Sequence, residues 1–138
     1  MRNKKLELLQ PFVGNWTTQG RTVDGKSIIG TDVYKWIDGA FFMIHYVDVN
    51  LSDVKTSSVE IIHYDELEDV FRTQAFGSDG SISISTIKIF DNIILIFADS
   101  ERFQGKFKLN KIEGTWEQRV NGEWQHWMDI QLTKTSCR

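Results

Sequence analysis

The chain has 138 residues, 41% hydrophobic and 25% charged, with a net charge of −3. These are the proportions of a single ordinary globular domain, 1–138, long enough to bury one sizeable core. The densest basic groups, Arg2/Lys4/Lys5 and Lys106/Lys108/Lys111, are too sparse to track a phosphate backbone, which argues against nucleic acid as a partner. No apolar run reaches signal-peptide or membrane-spanning length, so the expectation is a cytoplasmic protein without a membrane partner. The single Cys137 has no second cysteine for an internal disulfide and is a poor nucleophile so near a chain end.

The first predicted element is a short helix over residues 4–9, followed by the only proline, Pro11. From there on the chain reads as strands. Turn signals recur at Asp24-Gly25, Asp38-Gly39, Asp79-Gly80, Asp91-Asn92 and Asn121-Gly122, where the positive φ of tight hairpins suits Gly and Asn. Between them lie runs of Ile, Val, Thr and aromatics, predicting strands at 14–22, 27–37, 40–50, 56–64, 69–77, 81–90, 92–98, 101–109, 111–120 and 123–134. The connections are too short for crossover helices, so the sheet is an antiparallel meander. With no helix able to cover it, such a sheet hides its apolar face by closing on itself. The predicted fold is an all-β, up-and-down barrel of about ten strands with a short N-terminal helix.

Alternation gives the faces of four strands. Gly14, Trp16, Thr18 and Gly20 share one face of the first strand; Phe103, Gly105, Phe107 and Leu109 share one face of the eighth. Ile112, Gly114, Trp116, Gln118 and Val120 do so on the ninth, and Trp124, His126, Met128, Ile130 and Leu132 on the tenth. In the second strand Ile29, Val33 and Ile37 make the better core face, which puts Asp32, Tyr34 and Trp36 outside. If that parity were reversed, Asp32 would be a carboxylate inside the barrel, able to orient a ligand or act as a base. The faces of His45 and His63 stay ambiguous, since their strands are apolar on both sides. With His126 they are three scattered histidines, a weak zinc pattern. The acidic run Asp65/Glu66/Glu68/Asp69 reads as a solvated turn.

With a helix before Gly14-Asn15-Trp16 and a hairpin meander after it, the chain resembles the calycin group of lipocalins, fatty-acid-binding proteins and their bacterial relatives. Within that group it is similar to the small bacterial barrels and to nitrobindins, whose first strand carries Gly-x-Trp-x-Gly-x-Gly. Gly14, Trp16 and Gly20 match that motif, while Thr18 stands where its middle glycine would be. The resemblance implies a ligand-holding barrel, and its nitrobindin branch implies haem binding through a histidine opening the last apolar strand, the place His126 occupies.

The expected function is therefore to bind a small apolar or amphipathic molecule inside the barrel. Phe103, Phe107, Trp116, Trp124 and Met128 would supply apolar area, and Gln118 and His126 would fix orientation. Gly14 and Trp16 are read as the structural closure of one barrel end. No catalytic residues are assigned, because no nucleophile elbow, P-loop or dinucleotide fingerprint is present. Two alternatives accompany this reading: haem held by His126, and a filled barrel acting as an oligomerisation or interaction module. Ile93-Ile94-Leu95-Ile96-Phe97 and Phe41-Phe42-Met43-Ile44 are apolar on both faces, which predicts a homodimer through the outer wall of the sixth and seventh strands, with the third.

Overall fold

The computed structural model describes residues 2–136, so Cys137 lies outside the described residues. A 3₁₀ helix (Lys4–Phe12) leads into ten strands: β1 (Gly14–Thr22), β2 (Ser27–Trp36), β3 (Met43–Leu51), β4 (Val54–Asp65), β5 (Val70–Gly77), β6 (Ile82–Phe90), β7 (Ile93–Ala98), β8 (Glu101–Lys108), β9 (Lys111–Val120) and β10 (Glu123–Ser136). Each strand pairs antiparallel with its sequence neighbours, and β1 also pairs with β10. The sheet is a closed barrel of ten strands. Closure leaves no unpaired edge, as the short connections and the absence of an internal proline imply.

Its two ends differ. The helix sits across the end where β1 starts and β10 finishes. Its Asn3 side chain caps it by accepting from the Lys5 N–H, and Leu6, Leu9 and Phe12 are buried. These three merge with Trp16, Met43, Ile62, Phe71, Ile87, Ile94, Phe103, Ile112 and Leu132 in one core cluster. Polar straps fix the helix over that end: Arg2 Nε donates to the Ala40 carbonyl at 2.6 Å, Trp36 Nε1 to Gln10 Oε1 at 2.9 Å and Lys134 Nζ to the Pro11 carbonyl at 2.8 Å. The helix half of the barrel is thus solid.

The Gly-x-Trp motif joins helix to barrel. Gly14 has φ 139°, a conformation that side-chain-bearing residues rarely adopt, as the chain turns from Val13 into β1. Trp16 is 1% exposed, donates its indole N–H to the Phe12 carbonyl at 2.8 Å and lies under the Lys134 ammonium at 4.9 Å. Gly114, the glycine of the second Gly-x-Trp, works differently. It pairs with Gly105, and a Cβ at either position would come within 2.3–2.5 Å of the Phe103 ring. The two glycines make the floor on which that phenyl lies.

Two face assignments differ from the alternation read in sequence. In β2 the inner face carries Ile28, Asp32 and Tyr34, while Ile29 and Ile37 are exposed. In β10 the register slips between His126 and Met128, so that Met128 faces Trp116 across the ladder but His126 faces the outward Glu117. One extra residue in a bulge reverses every side chain beyond it. Met128, Ile130 and Leu132 keep the inner parity, and Trp124 and His126 turn to the outside.

The doubly apolar segments also resolve. Ile94 and Ile96 belong to the core side of β7, and Phe41 and Phe42 lie in the β2–β3 connection, half exposed. An outer apolar row instead runs through Val33, Tyr46, Val59, Phe76 and Ile82, direct cross-strand neighbours from β2 to β6.

Replacing Trp16 by Ala removes a fully packed aromatic and its hydrogen bond to the helix. The expected cost is roughly 3–5 kcal/mol, read as a lower urea midpoint. An unchanged midpoint would contradict the clasp between helix and barrel.

Candidate functional site

Above the solid half the barrel holds a cavity of about 320 Å³. Leu9 and Phe12 of the helix line its floor, and Ile28, Ile62, Ile87, Ile94, Ile96, Phe103, Ile112, Trp116, Met128, Ile130 and Leu132 give most of its wall. Most of the polar groups are on β1 to β4, namely Thr18, Asp32, Tyr34, His45, Ser58 and Glu60, with Ser83 and Ser85 on β6. Glu101, at the start of β8, lies at the end away from the helix.

Three adjacent strands bring the polar cluster together. Tyr34 pairs with His45 and His45 with Glu60, while Asp32 is two residues along β2 from Tyr34 on the same inner face. His45 Nε2 lies 2.6 Å from Asp32 Oδ1, and Nδ1 lies 2.8 Å from Glu60 Oε1. The Thr18 hydroxyl donates to the second oxygen of Asp32. Tyr34 stacks on the imidazole with centroids 3.8 Å apart and planes 9° from parallel. A ring with a carboxylate at each nitrogen is best satisfied as the imidazolium, with both N–H groups donating. Burial by itself would lower the His45 pKa; the hydrogen bonds that it donates to Asp32 and Glu60 outweigh it and raise the value to about 9. Burial, then the nearby Asp32 and Glu60 charges, hold the Tyr34 hydroxyl well above its ordinary range. An imidazolium bound at both nitrogens has no lone pair to take a proton from a substrate, so the cluster as it stands orients and polarises.

Thr18, the departure from the nitrobindin motif, is the anchor of Asp32. A glycine there would leave one carboxylate oxygen without its donor.

Of the seven expected lining residues, Phe103, Trp116 and Met128 line the cavity. Phe107 instead packs edge-on against Phe12, centroids 4.9 Å apart, in the solid half. Gln118 sits beside Glu101 in the ladder but off the cavity wall. Trp124 is on the outer wall between Arg102 and Arg119, whose guanidinium carbons lie 4.4 and 4.8 Å from its ring centre. His126 is exposed, with Nε2 3.1 Å from Asp129 Oδ1. The bulge has therefore removed both Trp124 and His126 from the interior, and with His126 the side chain on which the haem expectation was built. His63 is exposed as well. Among the described residues no group of three or more His, Cys, Asp or Glu is arranged to hold a metal ion.

Sequence reasoning missed Asp32, His45 and Glu60 as a set. Their signal was present: one titratable residue on each of three successive strands, in near-adjacent register. The apolar outer residues Ile29, Val33 and Ile37 masked it.

No protein-family model matches the chain, and no curated protein matches it. Among solved structures the chain is similar to EF1p2_mFAP2b bound to DFHBI, at 10% identity over 96% of this chain and 100% of that one, with a TM-score of 0.51. It is also similar to a redesigned β-barrel, mFAP0, bound to DFHBI, at 9% identity over 90% and 99% of the two chains, TM-score 0.49. At 10% identity the likeness to EF1p2_mFAP2b bears on the fold alone, a β-barrel. No helix among the described residues is long and apolar enough to cross a membrane.

The His45 pKa ties the cluster to stability. Because the folded value, about 9, lies above the ordinary 6.5, the stabilisation is full below pH 6.5 and is lost as pH rises through 9. The difference is on the order of 3 kcal/mol. Urea unfolding from pH 6 to 10 should show this fall, and NMR at pH 7.5 should show both ring N–H protons of His45. A single neutral tautomer at pH 7.5 would contradict the double clamp.

Proposed function

We propose that the protein binds one small amphipathic molecule in the open half of the barrel. The observation that carries this reading is the cavity itself: about 320 Å³, walled by aliphatic and aromatic side chains, with a small polar cluster on one side. That is the make-up of a small-molecule site, apolar area for affinity and a few fixed polar groups for orientation. The polar groups are held by one another before any ligand arrives, which lowers the ordering cost of binding. The calycin resemblance of the first strand supports the same reading, as does the presence of DFHBI in a barrel of like fold. Interior space weighs against a fully filled barrel acting only through its surface.

The test is a titration with N-phenyl-1-naphthylamine, a neutral fluorophore small enough for the cavity. Saturable fluorescence enhancement with one site per chain is expected. Ala98→Phe, which places a ring in the cavity wall between β7 and its neighbours, should reduce that affinity by at least about tenfold, or 1.4 kcal/mol, with little change in the unfolding midpoint. Absence of saturable binding by the wild type would overturn the reading.

We also infer that a second copy of the chain pairs on the outer apolar row from Val33 to Ile82. Phe76 and Ile82 are 44% and 62% exposed there. Contiguous apolar surface of this kind is uncommon on monomers and marks contact surfaces. Sedimentation should show a dimer at tens of micromolar, an order-of-magnitude concentration for weak pairing, and Phe76→Glu should return it to monomer. A monomeric wild type would contradict this pairing.

A further inference from the structure

The charged groups on the cavity wall are unbalanced. Among the described residues its carboxylates are Asp32, Glu60 and Glu101, its only basic side chain is His45, and no Lys or Arg lines it. His45 as imidazolium answers one of the two carboxylates it bridges, so the cluster keeps a net negative charge in an otherwise apolar space. Asp32 is fully engaged, by His45 through Oδ1 and by Thr18 through Oδ2. Glu60 uses Oε1 for His45, and no hydrogen bond from the described residues reaches its Oε2.

Glu101 is the sharper anomaly. It stands four strands round the barrel from Glu60, at the open end, with Gln118 as its ladder neighbour on β9. It has no hydrogen bond or ion pair to any described residue, although it is half-buried in the cavity wall. The adjacent Arg102 gives no help: it points to the outer wall, where its Nε meets Glu117 Oε1 at 2.5 Å. Burial without a counter-charge raises the Glu101 pKa. Charges drawn out of water are ordinarily paired, and a half-buried one left unpaired carries a desolvation cost that an incoming cation would offset.

We infer that the cavity selects an organic cation, an amine with an apolar body whose ammonium pairs with the Glu101 carboxylate. This rests on the ligand-binding reading above and narrows its ligand class. The same wall disfavours anionic amphiphiles, since a carboxylate entering it meets like charges and no lysine or arginine. The apolar body would lie against Ile96, Phe103 and Trp116, and the ammonium would stay at the mouth, where it gives up the least hydration.

Isothermal titration of the full chain at pH 7 with three probes of one shape tests this: 1-naphthylmethylamine, 1-naphthylmethanol and 1-naphthoate. The amine should bind at least about tenfold more tightly than the alcohol, and the carboxylate most weakly. In Glu101→Gln the amine should fall to within about twofold of the alcohol, while the alcohol keeps its wild-type affinity and so reports an intact cavity. Glu101→Ala should behave in the same way. Equal wild-type affinity for amine and alcohol would overturn the inference and leave ligand binding standing. So would an amine preference that survives both substitutions. No binding by any probe would overturn ligand binding itself, and this inference with it.

Discussion

His45 holds two carboxylates together inside a closed wall, and much of the upper barrel is arranged around that fact. A barrel interior normally excludes ions because desolvating each costs several kcal/mol. Here the cost is offset by geometry: each imidazole nitrogen meets a carboxylate oxygen, Thr18 satisfies a further oxygen and Tyr34 stacks on the ring. Removing His45 would strip both Asp32 Oδ1 and Glu60 Oε1 of their partner, a larger penalty than the net worth of the intact cluster. The inner face of β1 to β4 carries this polar cluster for that reason, and Ile29 of β2 lies on the outside.

The second constraint is the division of the barrel into a solid and an open half. Ten strands enclose more space than their own inner side chains fill, and the helix occupies the surplus at one end only. Leu6, Leu9 and Phe12 complete the packing there, and the Phe12 carbonyl is tied to the indole of Trp16. Beyond the reach of Leu9 and Phe12 the inner residues shorten to Ser58, Ala75, Ser83 and Ala98, and a cavity remains. Stability and binding are thereby separated along one axis: the helix end carries the packing, and the far end can stay empty without unfolding the domain. The unpaired, half-buried carboxylate of Glu101 stands at the far end, where water or a ligand can reach it.

The sequence alone determined the all-β meander, the ten strands, the N-terminal helix and the barrel closure, because hairpin turns and period-two alternation are local properties that reach the residues directly. Gly14 and Trp16 were legible as structural for the same reason. What alternation could not decide was which face looks inward where both faces are apolar or where a bulge intervenes. One extra residue near Trp127 turned Trp124 and His126 outward, although their spacing from Met128 reads as unbroken. On β2 the more apolar face is the outer one. Only the tertiary structure placed Asp32, His45 and Glu60 against one another, since their contact depends on the registers of two hairpins and on a β2–β3 connection longer than its Asp38-Gly39 signal suggests. Whether the interior is filled was likewise a tertiary matter: the volume left inside depends on where the helix stops, and no local pattern in the chain records that.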